Sequence, residues 1–280
     1  HCGLSLMPSK EFLQAALPLF NEGLVDAIEW SFDTMPLGFE SCPWIPEILN
    51  EYSQQSRLYG HGVHFSLLDG QWTPAHEQWL ENLGRECQTR QYTHISEHFG
   101  FMARHYYLLG APLPPPLNDK VLALAQSRLD CIAEVTDCRV GLENLAFAFS
   151  ARGALQQYTF LNKLLKGRGF LLLDLHNLYC QIENFSLSLD DVLERISPEI
   201  VREIHISGGS WSSVGNELIR RDTHDEALPE AVFELLAAAL PRLPNVELVT
   251  MERLGNTFLE AADAQQFYDD FVRMKAITHE

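Results

Sequence analysis

The chain has 280 residues, with 38 acidic side chains against 20 Lys and Arg, and a formal net charge of −18 with histidine neutral. At 46% apolar, 10% aromatic and 21% charged, the composition is that of a globular protein able to bury a large core, which excludes a disordered or fibrous chain. So acidic a surface repels phosphate backbones, and the longest basic cluster, Arg220-Arg221, is followed at once by Asp222, so a Lys/Arg-rich nucleic-acid module is excluded too.

In chain order, short apolar runs alternate with longer amphipathic stretches, the pattern of βα units and a parallel sheet. The expected strands are Gly3 to Leu6, Ala27 to Phe32, Gly60 to Ser66, Thr93 to Glu97, Val140 to Asn144, Phe170 to Leu175, Ile200 to Ser207 and Val246 to Glu252. A helix is expected after each. Ser9 before Glu11-Phe12-Leu13 and Thr73-Pro74 before His76 to Cys87 read as N-caps. Asn118 to Thr136 carries apolar residues at helical spacing, and Ala227 to Leu240 has Pro229 in its first turn. Pro112, Pro114, Pro115 and Pro116 predict one rigid loop between the fourth strand and its helix. Eight sequential βα units in a chain of this length predict a closed (β/α)8 TIM barrel, with residues 1–280 as a single domain.

No apolar stretch is long enough to span a bilayer, since the best candidate, Phe170 to Leu173, is stopped by Asp174. No secretory signal is visible at His1 to Leu6, and the six cysteines are scattered without a CxxC, so a cytoplasmic protein with reduced, mostly buried thiols is expected.

A barrel of this kind places its active site at the carboxyl ends of the strands. There the sequence puts Glu29 and Asp33 (second), His61 and His64 (third), Ser96-Glu97-His98 (fourth), Glu143-Asn144 (fifth) and Asp174-Leu175-His176-Asn177 (sixth). His205 lies on the seventh, Asp222-Thr223-His224-Asp225 in the loop after it, and Glu252 at the end of the eighth. So many carboxylates in one cavity require cations, because unpaired buried charge costs several kcal/mol per group. Histidine and carboxylate ligands without cysteine point to Fe(II), Mn(II) or Zn(II) in a multinuclear site. On a strand His61 and Val63 share one face while Gly62 and His64 share the other, so only one of the two histidines can face the cavity. His1, His76, His94, His105 and His279 read as exposed or incidental. The five lysines include only Lys10 just beyond a strand end, which speaks against a Schiff-base aldolase, and neither a Walker loop nor GxGxxG occurs. Gly208-Gly209-Ser210 stands where many barrels bind phosphate, although a tight turn explains it equally well.

Taken together and in order, Gly60-His61-Gly62-Val63, Ser96-Glu97-His98, Leu142-Glu143-Asn144, Asp174-Leu175-His176-Asn177, Glu203-Ile204-His205-Ile206-Ser207-Gly208, Asp222-Thr223-His224-Asp225 and Glu252-Arg253 resemble the multinuclear non-heme iron-dependent oxidative enzymes. That family includes the catalytic subunit of the methanobactin oxazolone synthase and the cysteine-processing enzyme of the thiaglutamate pathway, and the likeness runs from Gly3 to Phe271. The resemblance implies a barrel similar to xylose isomerase. It further implies two or three irons of mixed Fe(II)/Fe(III) state, O2 as co-substrate, and modification of a ribosomally made precursor peptide at cysteine. A small leader-binding companion protein is the implied partner. Carried over motif by motif, His61, His98 and Glu143 would bind one iron. Glu143 would bridge to a second held by Asp174, His205 and Glu252, and Asn177, Asp222 and His224 would hold a third. Glu143, Asp174 and His205 would carry the catalysis. His176 stands where the family usually has Asn, Ser or another small polar residue, and could add a ligand, tune the third site or point away. Asp33-Thr34 departs from the family's acidic-Asn ending of the second strand. The rival readings are a redox-neutral sugar isomerase or epimerase using two divalent ions, a three-zinc abasic-site endonuclease that conflicts with the charge, and a metal-storage module.

Overall fold

The structure, a computed structural model, describes residues 1–34, 42–104 and 107–279, with side chains 103–111 left out of the description. His105, one of the histidines read as incidental, lies outside the described residues. Eight parallel strands, β1 (Cys2–Leu6), β2 (Ala27–Trp30), β3 (Leu58–Gly62), β4 (His94–His98), β7 (Arg139–Glu143), β8 (Phe170–Asp174), β9 (Val201–Ser207) and β12 (Leu248–Glu252), close into a barrel. The ring closes where β1 pairs with both β2 and β12. Around it stand α1 (Lys10–Asn21), α2 (Ile45–Gln54), α3 (Pro74–Thr89), α4 (Asp119–Val135), α5 (Ala151–Leu165), α6 (Leu175–Phe185), α7 (Leu189–Leu193), α8 (Glu230–Ala239) and α9 (Ala261–His279). The (β/α)8 barrel expected from the sequence is the fold. No helix among the described residues is long and apolar enough to cross a membrane. All six cysteines are free, with Cys2, Cys42 and Cys180 buried.

The expected caps at Ser9 and Thr73 are in place, and Asn118, expected as the first residue of its helix, is a third. Ser9 Oγ accepts from Phe12 N at 3.0 Å, and Asn118 Oδ1 accepts from the N–H groups of Lys120 and Val121. Thr73 begins α3, with His76 Nδ1 accepting from Thr73 N at 3.1 Å. His76 is therefore buried and works as a cap, not as an incidental histidine. Pro229 is the residue before α8 and not within its first turn, because the helix begins at Glu230, three residues later than expected.

Several boundaries differ from expectation for a visible reason. The third strand was expected over Gly60 to Ser66 but ends at Gly62, because Asp33 Oδ2 takes the N–H groups of Val63 (2.9 Å) and His64 (2.7 Å) out of the ladder. Two hairpins were not expected. The first is β5 (Phe101–Arg104) with β6 (Tyr107–Leu113), and the second is β10 (Trp211–Val214) with β11 (Glu217–Arg220). Pro112 belongs to β6, in a two-stranded sheet where a missing N–H is tolerated, so only Pro114 to Pro116 form the rigid loop. Gly215-Asn216 between β10 and β11, with Gly215 at φ 64°, was the readable signal for the second hairpin.

Alternation along the strands sorts the side chains into two regions. Leu4, Ile28, Ile95, Leu142, Leu173, Ile204 and Met251 join the helices in the main apolar core, while Ala27, Tyr59 and Leu248 form a separate small cluster. That small cluster belongs to the other face of the strands, where Tyr59 and Phe170 both pack on the His94 ring at 4.6 and 4.4 Å. This layer fills the amino-terminal end of the barrel. Gly141 sits within the same layer, and a methyl group added there would lie inside the Phe170 ring. Phe170 is buried against His94 and has nowhere to move, so Gly141→Ala is expected to cost about 1–3 kcal/mol of stability. A lowered urea midpoint with unchanged slope is the measurement; an unchanged midpoint would mean that the layer is not packed as described.

Candidate metal centre

The last inward positions of five barrel strands carry His61 (β3), His98 (β4), Glu143 (β7), Asp174 (β8) and Glu252 (β12), and the last but one of β9 carries His205, so strand period alone brings these side chains towards one mouth of the barrel. His61 Nε2 and His98 Nε2 lie 3.4 and 3.3 Å from the same oxygen of Glu143. Glu143, Asp174 and His205 form a second group, and Asp174, His224 and Glu252 a third, each with one ligand-capable atom per residue lying within 4.8 Å of the others. Glu143 is thus common to the first two groups and Asp174 to the last two. Glu252 Oε2 stands 3.3 Å from His205 Nδ1 and 3.8 Å from His224 Nδ1, which places it between the second and third groups. Asp222 Oδ1 approaches His224 Nε2 at 2.7 Å.

Local sequence explains how the carboxyl groups are aimed. Asp174 was expected inside a strand running to Leu175, but it is the N-cap of α6: its Oδ1 accepts from Asn177 N at 2.6 Å, so the strand passes straight into a helix. Asn144 holds the backbone of Asp174 from both sides, accepting from its N–H at 2.8 Å and donating to its carbonyl at 3.1 Å. The Asn177 amide donates to Glu143 Oε1 (2.8 Å) and to the Asn144 carbonyl (2.9 Å). Ser96 Oγ donates to the Gly60 carbonyl and so accepts from His61 Nδ1 at 2.8 Å, leaving His61 Nε2 with its lone pair towards Glu143. His224 adopts φ 52°, a left-handed conformation that costs a non-glycine residue on the order of 1–3 kcal/mol and clusters at functional sites. His64, by contrast, is exposed on the loop after β3, so His61 is the histidine that faces the cavity.

The electrostatics describe a site that needs cations. Burial, reinforced by Asp174, pushes the Glu143 carboxyl well above its ordinary range, and burial with Asp222 and Glu252 pushes Asp174 up to about 7. Burial, with His98 and His205 nearby, holds His61 well below the usual imidazole value. His98 is pulled down to about 4 by burial, against the opposing pull of Glu252 and Asp222. Burial opposes the charge of His205 and His224, yet Glu29 and Glu252 beside the first, and Asp222 and Glu252 beside the second, hold both well above that value. Asp174 Oδ2 and Asn177 Oδ1 are buried without a hydrogen-bond partner. Orphaned acceptors in a cavity lined by imidazoles and carboxylates are what unloaded ligands look like, so the set fits a divalent-metal centre.

Beneath the mouth lies a layer of which the sequence points only to Glu29, as a strand-end carboxylate. His205 Nε2 is hydrogen-bonded to Glu29 Oε2 at 2.9 Å and lies 3.3 Å from Glu203, whose other oxygen meets His94 Nε2 at 2.7 Å. Thr250 Oγ1 also donates to Glu203. His94 is therefore fully buried and hydrogen-bonded to Glu203, not incidental. A carboxylate on the far nitrogen fixes the tautomer and ring plane of a metal-facing histidine. The signal was present in the period of two: Glu203 precedes His205, and His94 precedes Ser96 and His98, on one face.

Two carboxylates of the strand-end set stand apart. Asp33 Oδ2 accepts from Trp79 Nε1 at 2.7 Å as well as from Val63 and His64, and so ties loops together. Glu97 projects from the opposite face of β4, over Gly62 and beside Trp79, where burial and then Asp33 push its carboxyl well above the usual range. His176 is buried, with Nδ1 3.1 Å from Asp222 Oδ1 and Nε2 3.3 Å from Arg220 Nη2. Gly208 and Gly209 lie against the carbonyls of Ala227 and Arg221, so the glycines are needed for close backbone approach.

Residues 39–267 match the family described as RiPP precursor modification enzyme MbnB/TglH/ChrH, where RiPP denotes a ribosomally made, modified peptide. Three similar proteins are each described as a UPF0276 protein. That of Psychromonas ingrahamii is 25% identical over 67% of this chain and 66% of its own length. That of Acaryochloris marina is 29% identical over 69% of each chain, and that of Neisseria meningitidis serogroup B is 25% identical over 75% of this chain and 74% of its own. Among solved structures, the IOLI protein with a bound zinc atom superposes with a TM-score of 0.64 at 14% identity over 98% of both chains. A xylose isomerase-like TIM barrel protein from Mycobacterium smegmatis in complex with magnesium gives 0.53 at 12% identity, covering 96% of this chain and 90% of that one. D-psicose 3-epimerase with D-tagatose from Clostridium cellulolyticum gives 0.56 at 10% identity, covering 99% and 96%. These structural likenesses bear on the fold alone.

Proposed function

The chain belongs to the MbnB/TglH/ChrH family of RiPP precursor modification enzymes, and from that membership we propose that it is a multinuclear iron enzyme that uses O2 to modify a precursor peptide at a cysteine. The observation that carries the reading is the shared position of Glu143, which has two histidines against one oxygen and is also grouped with Asp174 and His205. A carboxylate so placed suits two ions held close together. His61, His98 and Glu143 are the proposed ligands of one ion, Glu143, Asp174, His205 and Glu252 of a second, and Asn177, Asp222 and His224 of a third. Imidazole and carboxylate donors without thiolate suit iron in its lower oxidation state.

Bound there, iron would supply open coordination positions and a redox couple through which electrons pass from the substrate to O2. The protein's own part is positional. Ser96 and Glu29 fix the ring planes of His61 and His205, and the packed layer of Tyr59, Phe170 and Leu248 keeps water out from below. Access is then from the strand-end face, where Phe147, Phe149 and Trp211 are 46%, 77% and 44% exposed, apolar surface fitted to a peptide. A small leader-binding companion completes the proposal, as does a reducing cytoplasmic setting, in keeping with six free cysteines.

The test is metal content after anaerobic purification, together with oxygen uptake when a cysteine-bearing candidate precursor is added. Two or more irons per chain and peptide-dependent uptake are expected. Zinc or manganese at similar stoichiometry, with no uptake after iron reconstitution, would overturn the proposal in favour of redox-neutral sugar chemistry.

A further inference from the structure

His176 is not needed as a ligand by the geometry above, yet it is fully buried between Asp222 and Arg220. A guanidinium has only donors, so the His176 nitrogen facing it, Nε2, must present a lone pair; the ring proton then resides on Nδ1 and is directed at Asp222. Arg220 is itself held firmly. Asn184 accepts from its backbone N–H at 2.8 Å and donates to its carbonyl at 2.9 Å, and the guanidinium lies over the rings of Tyr179 (5.3 Å) and Trp211 (5.6 Å). The His176 ring is walled in as well, since a methyl group at Gly209 would come within 2.7 Å of its Cε1. Both ring nitrogens are therefore committed before any ion arrives.

We propose that Arg220 and His176 form a two-step relay that positions Asp222, with Arg220 selecting the His176 tautomer and His176 donating to the carboxylate, so that His176 is a positioning residue and not a ligand. The relay joins the β10–β11 hairpin to the Asp222–His224 loop: Trp211, partly exposed, and Arg220 are paired across that hairpin. It rests on the reading that Asp222 and His224 hold an ion. Partners of this kind typically account for about 10–100-fold in metal affinity.

Two measurements test it. In metal-free protein labelled with 15N-histidine, long-range 15N–1H spectra are expected to show His176 protonated at Nδ1 and bare at Nε2; the opposite tautomer overturns the proposal. In anaerobic Fe(II) titrations, His176→Ala and Arg220→Gln are each expected to weaken one class of bound Fe(II) about 10–100-fold. His176→Asn, whose amide nitrogen can replace Nδ1–H, is expected to restore most of that affinity and to make a second Arg220→Gln change silent. Loss of binding in His176→Ala with full binding in Arg220→Gln would mean that His176 is itself a ligand, and would overturn the relay. A wild-type protein that binds no Fe(II) would sink the proposed function, while the tautomer measurement still decides the relay.

Discussion

Glu143→Ala is expected to lower peptide-dependent turnover by roughly 10²- to 10⁴-fold and to remove more than one metal equivalent per chain. The magnitude follows from breaking a buried, paired charge, which costs about 3–5 kcal/mol, at one decade in rate per about 1.4 kcal/mol. More than one equivalent should go because Glu143 stands against both His61 and His98 and is also grouped with Asp174 and His205. A control separates loss of metal from loss of fold. Without ions the buried Glu143 carboxyl is held well above its ordinary value of 4.5 by burial and by Asp174. It therefore destabilises the metal-free fold wherever the unfolded chain would ionise it. Metal-free Glu143→Gln should then melt no lower than metal-free wild type at neutral pH. Any advantage should grow as pH rises through the carboxylate range and vanish below it, because the acid is then protonated in both states. Thermal melts of the metal-free pair across pH 4 to 8, with metal analysis of the loaded pair, are the measurements. A fully metallated, active Glu143→Gln protein would remove Glu143 from the centre.

Stripping the metal is the second large effect. Ions that bind only the folded chain at about 1,000 times their Kd add roughly 4 kcal/mol. For a chain of this size that is about 7–10 °C in melting temperature. Chelation is accordingly expected to lower the melting temperature by at least that much, and anaerobic Fe(II) to restore it. The effect should be larger at neutral than at mildly acidic pH, because the ligands must shed protons to bind. The physical source is visible in the buried atoms Asp174 Oδ2 and Asn177 Oδ1, which have no hydrogen-bond partner. A melting temperature indifferent to chelator would mean that the cavity balances its charges by protonation alone.

Much of this site was legible in the amino-acid order. A strand's period of two and the repeated βα unit were enough to predict a barrel, and the barrel rule then pointed to strand ends. His98, Glu143, Asp174, His205 and Glu252 each terminate a strand or lie on its inward face near the end. Asp174-Leu175-His176-Asn177 also contains its own capping instruction, because an aspartate three residues before Asn177 can accept that residue's N–H. Proximity in sequence was misleading for Glu97 and Asp33: the first lies on the opposite face from His98, and the second is consumed by three N–H groups.

Sequence by itself therefore determined the fold class, the end of the barrel that carries chemistry and most residues of the candidate centre, because all three depend on local periodicity that a single strand or helix already contains. Strand period left His61 and His64 open and the family motif favoured His61, which the structure turns into the cavity; only the tertiary structure gave His94 and Glu203 to each other across 109 positions and set His176 between Arg220 and Asp222. Those partnerships arise when the ring closes and loops settle over its rim. Which atoms then meet depends on the stagger of strands far apart in the chain and on where each loop leaves the ladder, as β3 does at Gly62 when Asp33 captures the next two N–H groups.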